Sequence, residues 1–138
     1  MRVLGIDPGS RNMGWAVVDR RADGTMRLHA GGVIRTRPKT PQPQTLLLIS
    51  RHLDDLIARY HPDRVIVEDL FFSSNARSAM LVGQARGVIL LAAAQHGLPV
   101  FTYTPQQVKI AACGNGRADK TQVQEGVRRR LRLARPVT

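Results

Sequence analysis

The stretch Arg2-Val3-Leu4-Gly5-Ile6-Asp7-Pro8-Gly9-Ser10 decides how the chain reads. Residues 2–7, around the apolar run Val3 to Ile6, read as a short buried strand. The run ends on a carboxylate, Asp7, and breaks at once into the turn chemistry of Pro8-Gly9-Ser10. A second run, Val65-Ile66-Val67, ends the same way on Glu68. Removing a carboxylate from water is costly unless a cation or hydrogen bonds compensate it. Two strand-end carboxylates brought side by side in one sheet make a site for a hard divalent cation such as Mg²⁺.

Outward from that stretch, the pattern alternates between strands and helices. Gly14 to Asp19 predict a second strand, Ala22-Asp23-Gly24 a turn, and residues 26–35 a third strand. Together with the first strand these form an antiparallel meander. A connector carrying Pro38, Pro41 and Pro43 follows. Leu46, Ile49, Leu53, Leu56, Ile57 and Tyr60 then recur at helical spacing, and His61-Pro62 ends that helix. Residues 64–68 are the fourth strand. Ser73-Ser74 can cap a long helix reaching about Gln95, in which Ala79, Gly83 and Gly87 form a flat strip every fourth residue. Gly97-Leu98-Pro99 stops it. Residues 99–103 predict a fifth strand, Pro105 opens another helix, and a last helix starts near Ala118 with a Val123, Val127, Leu131 stripe. The order is βββαβαβαα, a mixed α/β sheet flanked by helices in one domain.

Composition narrows the partner. The 138 residues carry 21 Lys and Arg against 10 Asp and Glu, a net charge of +11. Such an excess attracts polyanions, nucleic acid first and an anionic membrane surface second. No apolar stretch reads as long enough to span a bilayer, and the N-terminus enters a strand without a signal-peptide pattern. A single cysteine, Cys113, excludes an internal disulfide and fits a reducing, cytoplasmic setting. The four histidines are scattered and lack cysteine partners, which argues against zinc.

Five ordered blocks carry a resemblance. Gly5-Ile6-Asp7-Pro8-Gly9-Ser10 with Gly14, Glu68 with Phe71, Asn75-Ala76 through Gly83-Gln84-Ala85-Arg86-Gly87, Gln107-Val108-Lys109, and Lys120-Thr121-Gln122-Val123 resemble the RuvC family of Holliday-junction resolvases over nearly the whole chain. The resemblance implies an RNase H-like fold and a homodimer. It also implies an endonuclease, dependent on Mg²⁺ or Mn²⁺ with two ions per active site, that cuts four-way DNA junctions symmetrically in recombination and repair. A branch-migration motor would be its partner. In such two-metal sites the ions lie roughly 3.5–4 Å apart and flank the reacting phosphodiester.

Within that expectation Asp7 and Glu68 are the catalytic metal ligands, with Asp7 bridging. Phe71 is the wedge that stacks on or separates bases at the strained junction, and Phe72 is a core residue or a second wedge. Lys109 and Lys120 match the family's basic residues near the scissile phosphate, where they would neutralise developing charge. Arg11, Arg77 and Arg86 would contact phosphates if they line the same face, Arg77 best placed on the first turn of its helix. The family's remaining two metal ligands lie on a final helix in an Asp-x-x-Asp or His-x-x-Asp motif. This chain ends at Thr138 before any such motif, so the expectation is a domain without that helix. The competing readings are another RNase H-like nuclease acting on RNA, and a junction-binding module with little activity. Asp7-Pro8-Gly9 also shares its start with the phosphate loop of sugar kinases and actin-like ATPases, but those need a second lobe for which 138 residues leave no room.

Overall fold

The structure is a computed structural model of the chain. It describes residues 1–9, 12–69, 75–104, 106–107, 110–111, 114–131 and 133. Its five strands are β1 (Arg2–Asp7), β2 (Asn12–Arg20), β3 (Met26–Arg35), β4 (Arg64–Glu68) and β5 (Val100–Tyr103). Its helices are α1 (Gln42–Tyr60), between β3 and β4, α2 (Ala76–Gln95), between β4 and β5, and α3 (Lys120–Leu131). Residues 106–107 and 110–111 are also helical.

The strands form one sheet in the order β3-β2-β1-β4-β5, with β1 at its centre. β1–β2 and β2–β3 pair antiparallel, as the meander requires, while β1–β4 and β4–β5 pair parallel. Side chains alternate across a strand. One face of the sheet therefore presents Leu4, Ile6, Met13, Val17, Ile34, Val65 and Val67, all buried. Against them lie Ile49, Leu53, Leu56 and Ile57 of α1 and Ala85, Ile89, Ala92 and Ala93 of α2. Burying each large aliphatic side chain contributes about 1.5–3 kcal/mol, so this single layer dominates the stability. Trp15 and Tyr60 close its edge with ring centroids 6.0 Å apart.

The helices are fixed by local chemistry. Pro41 precedes the first residue of α1 and Pro43 sits in its first turn, so the Pro-rich connector partly belongs to the helix. α1 ends at His61, which takes the left-handed conformation (φ 49°) and donates its N–H to Ile57 O at 3.0 Å. Asn75 caps α2, its side-chain oxygen accepting from the N–H of Arg77 (3.0 Å) and of Ser78 (3.4 Å). The expected caps Ser73 and Ser74 lie outside the described residues. Asp119 and Gln122 bond reciprocally at the start of α3, side chain to backbone N–H in both directions (2.8 and 2.9 Å), the pattern of a capping box. Thr104 and Gln107 do the same before the preceding helical residues.

α1 and α2 run parallel in a fixed register. Gln42 donates to Gln84 at 3.0 Å, and Asp54 pairs with His96 at 3.0 Å, both links spanning the same separation of 42 residues. Contrary to the bilayer expectation, α2 is long and apolar enough by length and composition to cross a membrane. Its Ala85, Ile89, Ala92 and Ala93 nevertheless sit in the core of the sheet domain, while Met80 and Leu91 are exposed. α3 packs beside β3, with Gly126 buried and Val123, Val127 and Leu131 half-buried.

Candidate active site

The parallel register β1–β4 runs Val3↔Arg64, Leu4↔Val65, Gly5↔Ile66 and Ile6↔Val67. Continued by one residue, this register brings Asp7 beside Glu68. Both follow residues of the buried face (Ile6, Val67), so both point to the opposite face of the sheet. Asp7 is exposed and Glu68 half-buried. Two carboxylates 61 residues apart in sequence thus stand level on neighbouring strands, facing the same way, at the strand ends.

Two glycines shape the space around Asp7. A Cβ on Gly9 would lie 2.0 Å from the Asn12 carbonyl oxygen, so only glycine lets the chain turn directly after Asp7-Pro8. Pro8 itself is fully buried under that turn. Gly14 pairs with Asp7 across the antiparallel β1–β2 ladder, and no atom of the described residues lies within 4 Å of the position its side chain would take. On the other flank Tyr103 pairs with Glu68 and Phe101 with Ile66, each ring 42% exposed on the same face. The Arg64 guanidinium lies over the Phe101 ring at 4.9 Å.

The topology gathers basic groups at this end of the sheet. Asn12 begins β2 and pairs with Arg35, the last residue of β3, so Arg35 and the connector after it leave at the carboxylate end. α2 starts at the same end, because β4 leads into it. Arg77, exposed on its first turn, lines a polar cavity of about 340 Å³ with Arg37, Thr36, Thr40, Asn75 and Ser78. Arg37 was not singled out in the sequence, where it reads as one more charge beside a proline. Its place follows from the β3–α1 connector meeting the start of α2.

The other acids of the second half of the chain are engaged elsewhere. Asp69 points to the α2 side, with its carboxylate 3.9 Å from Arg86. Asp119 caps α3. Glu125 accepts from Arg128 (2.8 Å) and Arg129 (3.3 Å), which hold its carboxyl well below the usual range, at about 2. Among the described residues no group of three or more His, Cys, Asp or Glu side chains is arranged to hold a metal ion. Asp7 and Glu68 are therefore a two-carboxylate set. That fits Mg²⁺ or Mn²⁺, since such ions are commonly held by one or two carboxylates and complete their shells with water and substrate phosphate oxygens.

Of the remaining expected site residues, Lys120 is exposed as the first residue of α3. Arg11, Phe71, Phe72 and Lys109 lie outside the described residues. Arg86 departs from its expected role: it turns inward to Asp69 and Thr102 rather than lining the carboxylate face.

Comparison with known proteins identifies the arrangement. The family described as "Crossover junction endodeoxyribonuclease RuvC" matches residues 3–138. The chain is 51% identical over 132 residues to the protein of that name from Roseiflexus sp. (strain RS-1), covering 96% of this chain and 78% of the relative. Among solved structures it is similar to Thermus thermophilus RuvC, at 37% identity and a TM-score of 0.91, covering 100% of this chain and 84% of the other. With Thermus thermophilus RuvC in complex with Holliday junction substrate the TM-score is 0.94 at the same identity and coverage. The mixed sheet with its flanking helices is thus an RNase H-like fold.

Proposed function

The chain belongs to the RuvC family, the crossover junction endodeoxyribonucleases, and from that premise we propose that Asp7 and Glu68 hold the divalent metal with which it cuts four-way DNA junctions. The protein is a Holliday-junction resolvase, an endonuclease of recombination and repair. Its family's nuclease chemistry depends on divalent metal. The observation that carries the site is the register. Asp7 and Glu68 follow the rung Ile6↔Val67 on two parallel strands, facing the side of the sheet away from α1 and α2.

Bound there, Mg²⁺ or Mn²⁺ would supply Lewis acidity and lower the pKa of an attacking water. Two ions fit the family's chemistry, with Asp7 the bridging ligand because it ends the central strand, where its backbone pairs with Gly14 of β2. The chain's own residues do the rest. The open space at Gly14 admits a DNA strand next to Asp7. Arg77 and Arg11 take phosphates, Arg77 with the N-terminal N–H groups of α2 behind it. Lys109 and Lys120 offset charge growing on the scissile phosphate. Phe71 wedges between bases at the junction centre, with Phe72 beside it.

Symmetric cutting requires two such sites. The exposed strip of α2, Met80, Gly83, Gly87 and Leu91, supports a homodimer. A Cβ on either glycine would meet no atom of the described residues within 4 Å, which favours a close helix crossing between two copies over an internal helix–sheet contact. The dimer acts on DNA in the bacterial cytoplasm alongside a branch-migration motor. No observation favours an RNA substrate or a binding module without activity.

The test is cleavage and binding of a synthetic four-way junction by Asp7→Asn and Glu68→Gln. Each should lose cleavage in Mg²⁺ and in Mn²⁺ while binding the junction with little change. Cleavage at the unaltered rate by either variant removes that residue from the site.

A further inference from the structure

Arg77 and Arg86 are the only charged residues of α2. Arg77 faces outward at the helix start, but Arg86 follows the buried Ala85 and packs toward the strand ends. Its Nη2 lies 3.4 Å from Thr102 Oγ1 on β5 and 3.9 Å from Asp69 Oδ1. Its Nε is buried and finds no partner among the described residues. Most of the side chain is covered, 29% of it remaining exposed, and a planar guanidinium held between two partners fixes geometry better than a lysine would.

Asp69 is the residue directly after Glu68. Its backbone N–H donates to Tyr103 O at 2.6 Å, which carries the β4–β5 ladder one residue past Glu68. Val67, on the other side of Glu68, is fully buried. Strand alternation sends the Asp69 side chain toward α2 and the Glu68 side chain to the opposite face. Fixing the first therefore fixes the rotation of the strand end that aims the second. An ion pair whose acid is 54% exposed contributes little to stability. Its value must lie in where it holds the chain.

We propose that Arg86 is a positioning residue: by clamping Asp69 and Thr102 from α2 it sets the orientation of Glu68 toward the metal. The proposal rests on Glu68 being a metal ligand. Without the clamp, the 68–69 peptide loses its anchor to α2, and the Glu68 carboxylate is aimed less tightly toward Asp7. The metal site then binds its ion more weakly, with the DNA surface unchanged.

Arg86→Met, Arg86→Lys and Asp69→Asn test this through three measurements. These are Mn²⁺ binding by calorimetry without DNA, the Mn²⁺ concentration giving half-maximal junction cleavage, and the junction Kd without divalent metal. Arg86→Met should weaken Mn²⁺ binding and raise the cleavage midpoint at least fivefold, while saturating Mn²⁺ restores much of the rate and the junction Kd stays within twofold. Arg86→Lys should recover most of the loss. Asp69→Asn should reproduce Arg86→Met, and the double variant should be no worse than either single one. Should Arg86→Met fold poorly, Asp69→Asn, on a half-exposed side chain, carries the same test. An unchanged Mn²⁺ midpoint overturns the proposal. So does a raised junction Kd with a salt slope lowered by about one, which marks a phosphate contact instead. If Glu68→Gln itself leaves Mn²⁺ binding and cleavage intact, the ligand reading of Glu68 is what has failed.

Discussion

At the residue scale the turn after β1 does two jobs with two glycines. Gly9 is required by space: its Cβ would collide with the Asn12 carbonyl oxygen at 2.0 Å. Gly9→Ala must therefore push apart the ends of β1 and β2, and should destabilise the fold by about 1–3 kcal/mol in urea melts, the usual cost of overpacking. Gly14 is different, because none of the described residues stands where its side chain would be. Gly14→Val should leave stability within ~1 kcal/mol, since a β-branched residue suits a strand. It should still slow junction cleavage at least tenfold by filling the space beside Asp7. A variant that melts normally and cuts at the wild-type rate would show that DNA does not approach there.

At the element scale the helix ends are where side chains replace missing backbone partners. Asn75 is the visible cap of α2, whose first turn carries Arg77. Asn75→Ala should cost about 1 kcal/mol, the ordinary worth of an N-cap. If Arg77 takes a phosphate as proposed, the same variant should also change junction binding, because the first turn that carries Arg77 loses its anchor. In α3 the basic face is internally braced. Arg128 and Arg129 lower the Glu125 pKa from its ordinary 4.5 to about 2. A folded-state pKa below the unfolded one stabilises the protein above pH 4.5, and that contribution fades as pH falls through 2. The pair is exposed and therefore screened, so the effect is modest. Comparing the melting temperature of the protein with that of Glu125→Gln, the gap should be present at pH 6 and close by pH 2. A gap that stays constant over that range would mean that Glu125 acts by packing alone.

At the scale of the whole molecule, net charge and sheet polarity work together. The +11 charge gives a long-range attraction for DNA in general, while the topology selects where the strand lands. Arg35, Arg37, Arg77 and the N-termini of α1 and α2 all lie at the end of the sheet that carries Asp7 and Glu68. Junction binding should fall steeply between low and physiological salt, with a log–log slope reflecting several phosphate contacts. A flat dependence would rule out backbone electrostatics as the main source of affinity.

What the sequence determined by itself is whatever depends on near neighbours along the chain. Strand and helix periods placed β1, β3 and β4 at their observed bounds, and His61-Pro62 marked the end of α1. Two strands ending in carboxylates could be read directly, and so could the excess of cationic side chains. The assignment of roles depended on contacts between distant segments. Asp69, Asp119 and Glu125 are acids like Asp7 and Glu68, yet one is clamped by α2, one caps α3 and one is paired to arginines. Arg77 and Arg86 lie on one helix, nine residues apart, but point to different surroundings. Only the parallel pairing of β1 with β4 sets Asp7 level with Glu68. Backbone propensity and turn chemistry act over a few residues. The adjacency of two carboxylates is fixed by which strands share a ladder and which face of the sheet the helices bury.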